Sequence, residues 1–224
     1  MDHYESVCRS HHISLPETFN FGRDVVDHMA RDKDKIALIW CNDCNTERIL
    51  TFQEIAESSN QVANWLIEQD VSQGDRVIVM LPRIPEWQIC LTACLKLGAV
   101  PIPCITMLTE KDIAYRMDHS GAAAVITTAA ETAKFQTYVP TLKAALAIGG
   151  SVAGWTDYGL ISNQDRRFEC CDLDLDQPAI MYYTSGSTGD PKGVCHPARS
   201  LYAWRYSAVY WLSLQASDIM WCTA

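Results

Sequence analysis

One stretch of the chain is the most informative about fold and chemistry: Tyr183-Thr184-Ser185-Gly186-Ser187-Thr188-Gly189-Asp190-Pro191-Lys192-Gly193-Val194. It combines glycines, hydroxyl side chains and one lysine, and the apolar run Ala179–Tyr183 leads into it. Glycines let backbone N–H groups approach oxygen atoms closely, hydroxyls donate short hydrogen bonds, and lysine supplies positive charge. The stretch therefore predicts a polyphosphate-binding loop that is entered from a buried β-strand.

The spacing of this loop differs from that of the P-loop NTPases. In those proteins the lysine directly follows the last glycine and begins a helix. Here Asp190 and Pro191 separate Gly189 from Lys192. Proline fixes its own φ and biases the preceding residue toward an extended conformation. We therefore expect Lys192 to begin a second strand, Lys192–His196. The alternative, a Ser/Gly-rich surface turn, explains the composition but not the full ordered string.

The segment Thr184–Gly193 resembles the signature loop of the acyl-adenylate-forming enzymes, which include acyl-CoA synthetases, luciferases and the adenylation domains of peptide synthetases. Leu50–Ile55 and Leu95–Pro103 resemble two further elements of that superfamily, in the same order. Other stretches resemble medium-chain acyl-CoA synthetases in particular: Phe19–Phe21 with Asp24–Asp27, Leu81–Trp87, and Asp218–Ala224.

This resemblance implies an AMP-forming acid:CoA ligase. A carboxylate would attack the α-phosphorus of ATP to give an acyl adenylate and pyrophosphate, and the thiol of CoA would then displace AMP. It implies ATP, Mg²⁺ and CoA, with a medium-chain fatty acid or an aromatic acid as substrate. Asp190 stands at a variable position of the motif, where we expect it to point to solvent, and no metal ligand is assigned. The phosphate-binding residues that it implies are Thr184, Ser185, Gly186, Ser187, Thr188, Gly189 and Lys192, with Lys192 as the catalytic counter-charge.

Two other functions stay open at this point. One is an adenylating enzyme whose acceptor is not CoA, and the other is a non-catalytic nucleotide-binding remnant. The resemblance indicates that residues 1–224 are an N-terminal part, because the family's later elements have no counterpart in them. Those elements are the Tyr-Gly-x-Thr-Glu motif, the aspartate that holds the ribose, and a small C-terminal domain with a catalytic lysine. We expect residues 1–224 alone to be inactive and to bind ATP weakly.

Composition and charge narrow the class of protein further. Apolar residues make up 48% and charged residues 20%, as in globular proteins. The net charge is −9 and no Lys/Arg cluster exceeds the pair Arg166-Arg167, so we expect no nucleic-acid partner. No apolar run is as long as a transmembrane helix, and the first residues do not resemble a signal peptide. We therefore expect a cytoplasmic protein, or one in a reducing compartment like the mitochondrial matrix.

The ten cysteines are expected to be thiols in such a compartment. Cys41-Asn42-Asp43-Cys44 has no second CxxC with which to form a zinc site. It lies between Ile36–Trp40 and Ile49–Phe52, two runs that predict a β-hairpin. We interpret these two cysteines as flanking the turn of that hairpin, in preference to zinc or redox chemistry.

Strand and helix patterns alternate after this hairpin. Thr51-x-x-Glu54 predicts a capping box for a helix to about Gln69, and Pro85 predicts the first residue of a helix that ends before Gly98. Predicted strands are Arg76–Leu81, Val100–Cys104, Ala123–Thr127 and, more weakly, Leu142–Ile148; further predicted helices are Thr109–His119 and residues 130–139. The order predicts an α/β fold, a partial N-terminal domain of the adenylate-forming type, with a mostly parallel sheet and helices on both faces.

We expect residues 1–224 to be one incomplete AMP-binding domain. Its predicted parts are an N-terminal segment and hairpin (1–48), a first α/β subdomain (49–150), a connection (151–177) and the start of a second subdomain with the phosphate loop (178–224). Pro197 is predicted at the first turn of a long helix to about Leu214, buried because both of its faces are apolar.

Three polar residues near predicted strand ends are weaker candidates for the site. His196 is interpreted as a packing residue, because a carboxylate substrate is already ionised and needs no base. Arg83 and Glu86 flank Pro85 at a strand-to-helix junction, where we favour a surface ion pair or a cap over a ligand contact.

Overall fold

A computed structural model describes residues 5–6, 14–184 and 189–221. After a short π-helical segment, Gly22–Asp27, the chain forms the antiparallel hairpin of β1 (Ile36–Cys41) and β2 (Glu47–Thr51). The predicted hairpin is confirmed. Cys41 ends β1 and Cys44 lies in the turn, and both are exposed.

The central element is a parallel five-stranded sheet in the order β4-β3-β5-β6-β7. Its strands are β3 (Arg76–Met80), β4 (Val100–Cys104), β5 (Ala124–Thr128), β6 (Ala144–Ile148) and β7 (Thr156–Asp157). The helices are α1 (Phe52–Glu68), α2 (Pro85–Leu97) and α3 (Glu110–Ser120). The weakly predicted strand near Leu142 is a full member of the sheet as β6.

Alternate residues of the strands face opposite sides of this sheet. Val77 and Val79 of β3 pack in a core with α1 and α2, whereas Ile78 and Met80 pack in a second core with α3. Side chains alternate along any strand, and here both sides are buried, which is why β3 reads as a continuous apolar run. Helices on both faces of a parallel sheet confirm the predicted fold class.

The helix boundaries follow from local chemistry. The Thr51 hydroxyl accepts from the Glu54 N–H, and the Glu54 carboxylate accepts from the Thr51 N–H, which completes the predicted capping box. Pro85 occupies the first turn of α2, where its missing N–H costs nothing. Gly98 ends α2 with φ of 75°, a left-handed conformation that favours glycine.

The last elements are β8 (Pro178–Thr184), β9 (Lys192–Pro197) and α4 (Ala198–Tyr206). A third core joins β8 and α4 to the N-terminal segment and α2. β8 and β9 form a two-stranded antiparallel sheet. Residues 151–177 include β7 and a 3₁₀ helix, Tyr158–Asn163. This stretch is tied to α1, because the Asn60 amide donates to the Arg166 carbonyl at 2.8 Å and the Gln61 amide donates to the Ser162 carbonyl at 2.8 Å.

Two predicted helices are wrong in part. Residues 130–139 lie in two short 3₁₀ helices, Ala129–Phe135 and Val139–Thr141, and Pro140 suits the first turn of the second helix rather than the interior of a continuous one. The helix after the phosphate loop is shorter than predicted: Pro197 is its N-cap, and a π-helical turn, Ser207–Trp211, follows α4.

That last helix is also not buried between layers. Within residues 189–221, only Ala198 and Leu201 of α4 belong to a core cluster, and Trp211 is 85% exposed. Aromatic residues on two faces predict burial only where a second layer covers the outer face. No helix in the described part of the chain is both long and apolar enough to span a bilayer.

Candidate phosphate-binding site

The β8–β9 hairpin forms the two arms of the predicted phosphate loop. Tyr183 pairs with Gly193, and Thr184 pairs with Lys192. Lys192 therefore begins a strand, as its spacing from Gly189 predicted, and no helix follows the last loop glycine. Ser185, Gly186, Ser187 and Thr188, which are four of the predicted phosphate ligands, lie outside the described residues.

The entry arm of the loop is β8, which is held in place because its apolar residues are buried. Ala179, Ile180 and Met181 of β8 are 1%, 4% and 8% exposed, whereas Thr184 at the end of the strand is exposed. This change along one strand follows from the sequence, because an apolar run gives way to hydroxyls and glycines. The buried part anchors the strand, and the exposed end presents Thr184 beside the loop.

The exit arm of the loop is the stretch from Gly189 into β9, and it begins with residues that face solvent. Lys192, paired with Thr184, is exposed, and so is Asp190. Gly189 has φ of 103°, a conformation that L side chains rarely adopt. The register thus brings a hydroxyl residue and a cationic residue to the mouth of one loop, whose glycines allow close approach to an anion.

His196, at the far end of β9, packs between aromatic rings. Its ring centroid lies 5.7 Å from that of Tyr182 and 5.7 Å from that of Trp204. These contacts agree with a packing role. At the β3–α2 junction, Glu86 forms an ion pair with Arg48 at 2.8 Å, and the Arg83 carbonyl accepts from Trp40 Nε1. Glu86 therefore forms the ion pair that we favoured, whereas the contact of Arg83 is made by its backbone and leaves the role of its side chain a prediction.

Sequence reasoning missed the contribution of α3. The Tyr115 hydroxyl donates to the Pro191 carbonyl at 2.9 Å, and His119 Nδ1 lies 2.8 Å from the Tyr183 hydroxyl. The available signal was the spacing of Tyr115 and His119, because residues four apart share one face of a helix.

A separate cleft of about 520 Å³ lies between the β1–β2 hairpin and α1. Its lining includes none of the loop residues that the structure describes. Two of its arginines face carboxylates: Arg48 pairs with Glu86 and Arg166 pairs with Glu57 at 3.1 Å. Paired charges leave less capacity for a charged ligand, so the loop is the stronger candidate site.

The fold and the loop together define an α/β protein of the adenylate-forming type. The chain belongs to the AMP-binding enzyme family, whose model matches residues 25–224.

Curated relatives and solved structures agree with this assignment. The chain is 35% identical to the mouse mitochondrial acyl-coenzyme A synthetase ACSM3 over 99% of its length, and 34% identical to the human mitochondrial ACSM2B over 94%. It spans 40% and 38% of those proteins. The acyl-CoA synthetase of Brucella canis superposes with a TM-score of 0.88 at 26% identity, covering 99% of this chain and 43% of that one. An anthranilate CoA ligase bound to anthranoyl-AMP superposes with a TM-score of 0.77 at 25% identity, covering 88% of this chain and 38% of that one.

The expected cytoplasmic location is wrong by this comparison. The acyl-coenzyme A synthetases that resemble the chain in mouse, rat and human are named as mitochondrial. The expectation came from the composition of the chain and of its first residues, and neither property measures the compartment in which a protein resides.

Proposed function

We propose that the complete protein is an ATP-dependent, AMP-forming acid:CoA ligase. It converts a carboxylate and ATP to an acyl adenylate and pyrophosphate, and then transfers the acyl group to the thiol of CoA. The observation that carries the proposal is the β8–β9 hairpin, which sets Thr184 opposite Lys192 at the mouth of the loop. Membership of the AMP-binding family and the acyl-coenzyme A synthetase relatives support it.

The loop addresses the main difficulty of this reaction, which is charge. An anionic carboxylate approaches a polyphosphate, and pyrophosphate leaves with its negative charge. Hydrogen-bond donors held in place before the reaction stabilise such a leaving group without having to reorganise. We propose that Thr184, residues 185–188, Gly189 and Lys192 bind the β- and γ-phosphates, with the Lys192 ammonium as counter-charge.

Mg²⁺ would neutralise part of the charge on the polyphosphate when bound. The described residues contain no group of three or more His, Cys, Asp or Glu side chains that could hold a metal ion. Mg²⁺ usually binds substrate phosphates and water with only one or two carboxylates. The site therefore fits an ion that arrives with ATP, and the exposed Asp190 is the nearest acidic residue along the chain.

The proposed substrate is a medium-chain fatty acid or an aromatic acid, and the proposed location is mitochondrial. The relatives named acyl-coenzyme A synthetases support the first class of acid. The structure of an anthranilate CoA ligase supports the second. Activation of fatty acids as CoA thioesters would place the protein in fatty acid metabolism.

Acid-dependent exchange of labelled pyrophosphate into ATP tests the proposal in the complete protein. We expect exchange with a medium-chain or aromatic acid, followed by AMP and thioester formation when CoA is added. Absence of exchange with every acid in such a panel would exclude the adenylation step. Exchange without thioester formation would instead favour an adenylating enzyme with another acceptor.

Lys192→Ala tests the role of the ammonium. We expect at least about a tenfold loss of exchange, the order of effect for one positioned charge. Lys111→Ala is the matched control, because Lys111 is an exposed lysine on the neighbouring helix α3. If exchange by Lys192→Ala equals that of the control, Lys192 has no part in the reaction.

A further inference from the structure

One face of α3 is bonded to both arms of the phosphate loop. Tyr115 donates its hydroxyl proton to the Pro191 carbonyl, on the exit arm, at 2.9 Å. His119 Nδ1 lies 2.8 Å from the hydroxyl of Tyr183, on the entry arm. Tyr115 and His119 are four residues apart, and their rings stack with centroids 5.5 Å apart. A single rigid element therefore contacts the chain just before and just after the loop.

The ring of Tyr183 is enclosed by this helix. The Arg116 guanidinium carbon lies 5.1 Å from the centre of the ring, and the rings of Tyr115 and His119 meet its edge at 6.2 Å and 5.6 Å. Arg116 is buried and donates to the Asp112 carbonyl at 2.8 Å, so its position is fixed. A cation over an aromatic face and edge-to-face rings both favour one ring orientation.

The Tyr183 hydroxyl is suited to a hydrogen bond with His119. Burial raises the pKa of Tyr183, so the phenol keeps its proton at neutral pH. Its O–H can donate to Nδ1 of His119, or its oxygen can accept from Nδ1, depending on the imidazole tautomer.

Gly193 shows how closely the exit arm lies against these groups. A Cβ atom at this position would collide with Met181 Cε and would lie 3.5 Å from His119 Cε1 and 3.6 Å from Tyr183 Cζ. Met181 Cε is the end of a flexible side chain and can move aside, but the other two distances show that the exit arm lies in van der Waals contact with His119 and Tyr183. The glycine directly after Lys192 therefore allows the exit arm to pack closely against these groups.

These contacts are separate from those that attach α3 to the parallel sheet. Ile113 and Met117 point into the core beneath the sheet and are 1% and 4% exposed. Tyr115 and His119 lie two residues further along, on the other side of the helix. The fold of α3 therefore does not need the two polar contacts to the loop arms.

We propose that Tyr115 and His119 are positioning residues for adenylation, which hold the two arms of the phosphate loop at Pro191 and Tyr183 and so keep Thr184 opposite Lys192. This inference rests on the proposed ligase activity. It predicts an effect confined to one half of the reaction. Adenylate formation places pyrophosphate in the loop, whereas thioester formation from a preformed acyl adenylate uses no β- or γ-phosphate.

The first test compares Tyr115→Phe with Tyr138→Phe in the complete protein. Each substitution removes one hydroxyl group. The Tyr115 hydroxyl bonds to a loop arm, whereas the Tyr138 hydroxyl bonds to Asp118 of α3 at 3.2 Å and contacts no described residue of the loop arms. We expect Tyr115→Phe to lower kcat/KM for ATP in pyrophosphate exchange by about threefold to tenfold, the range for one lost hydrogen bond. The KM for the acid and the rate of thioester formation from acyl adenylate should match the control.

The second test is a double-mutant cycle of Tyr183→Phe and His119→Leu. If the hydrogen bond between them positions the entry arm, the two losses in exchange are not additive, and the second substitution has little further effect. Independent, additive losses would overturn the role of this contact.

A measurement without turnover makes the inference independent of the ligase assay. Backbone amide exchange of Thr184, Lys192 and Gly193 should be faster in Tyr115→Phe than in Tyr138→Phe, with the rest of the protein unchanged. Equal exchange in the two variants would overturn the inference. So would an equal loss of both half-reactions, because that reports a general defect in folding. If wild-type protein showed no pyrophosphate exchange, the proposed function would fail, while the amide measurement would still decide whether α3 holds the loop.

Discussion

The parallel sheet and the β8–β9 hairpin differ in how they are held. β3 and β5 of the sheet have apolar residues buried on both faces, with Val77, Val79 and Ile126 fully buried. In the hairpin, Val194 is 39% exposed, and β9 presents residues to solvent along most of its length. The hairpin, which carries the proposed chemistry, is thus less buried than the sheet. At its loop, the contacts from outside the hairpin include hydrogen bonds from α3 to the two arms. Rigid scaffolds that position exposed loops are a common arrangement for binding sites.

The largest expected effect lies in the scaffold. Leu66→Ala removes a fully buried side chain of α1 and should lower the free energy of unfolding by about 3–5 kcal/mol, because the packed layers cannot collapse into the cavity. Ile67→Ala, at a neighbouring position that is 49% exposed, is the control and should cost much less. Urea unfolding of the complete protein measures both. Similar losses of unfolding free energy in the two variants would contradict tight packing of the core around the parallel sheet.

The next effect concerns a buried charge between the N-terminal segment and the helices. Lys96 is fully buried, and its Nζ donates to Asp27 Oδ1 at 2.6 Å and to Asn60 Oδ1 at 2.5 Å. Lys96→Met should cost about 2–4 kcal/mol, because it removes the donor to Asp27 Oδ1 and Asn60 Oδ1 and also the bond to the Ala56 carbonyl at 3.2 Å. Lys143→Met removes an exposed lysine paired with Asp75 and should cost less than about 1 kcal/mol. Equal thermal shifts of the two variants would contradict the buried network.

A smaller loss is expected in the hairpin region. Leu201 of α4 is 6% exposed and packs in the small third core. Leu201→Ala should cost about 2–3 kcal/mol, at the low end for such a change, because a small cluster relaxes more easily around a cavity. Val194→Ala on exposed β9 serves as the reference. If Leu201→Ala lowered the free energy of unfolding as much as Leu66→Ala, the hairpin region would not be less tightly packed than the sheet.

The smallest effect is a dependence of stability on pH that arises at Asp75, directly before β3. Burial alone raises the pKa of Asp75, but hydrogen bonds from Lys143 and the Ser72 N–H outweigh it and leave the pKa below its ordinary value. A lowered folded-state pKa gives stability that is fully present above the unfolded pKa of about 4 and is lost as pH falls through the folded value. Asp75→Asn should therefore flatten the acid limb of the stability curve. An unchanged limb would show that Asp75 contributes nothing there.

Local signals predicted most of the scaffold. The capping box at Thr51, Pro85 in the first turn of α2 and Gly98 at its end act over a few residues, so their effects can be read directly from the sequence. They failed for residues 130–139, which form two short 3₁₀ helices instead of one α-helix, and for the helix after Pro197. Burial of that helix depends on a covering layer, which no local pattern specifies.

The candidate site divides in the same way. Lys192 on a strand followed from its separation from Gly189 and from the conformational limits of Pro191. The contacts of Tyr115 and His119 could not be predicted, because more than sixty residues separate them from the arms that they touch. Only the packing of α3 against the hairpin brings them together.

The sequence by itself determined the alternation of strands and helices and the family resemblance, and it predicts the chemistry of the loop, because periodicity, caps and glycine conformation are local properties. The tertiary structure decided which strands are neighbours, which lysine is buried and which is exposed, and which helix contacts the two arms of the loop. Those outcomes depend on contacts between distant parts of the chain, whose free energies appear only when the layers pack.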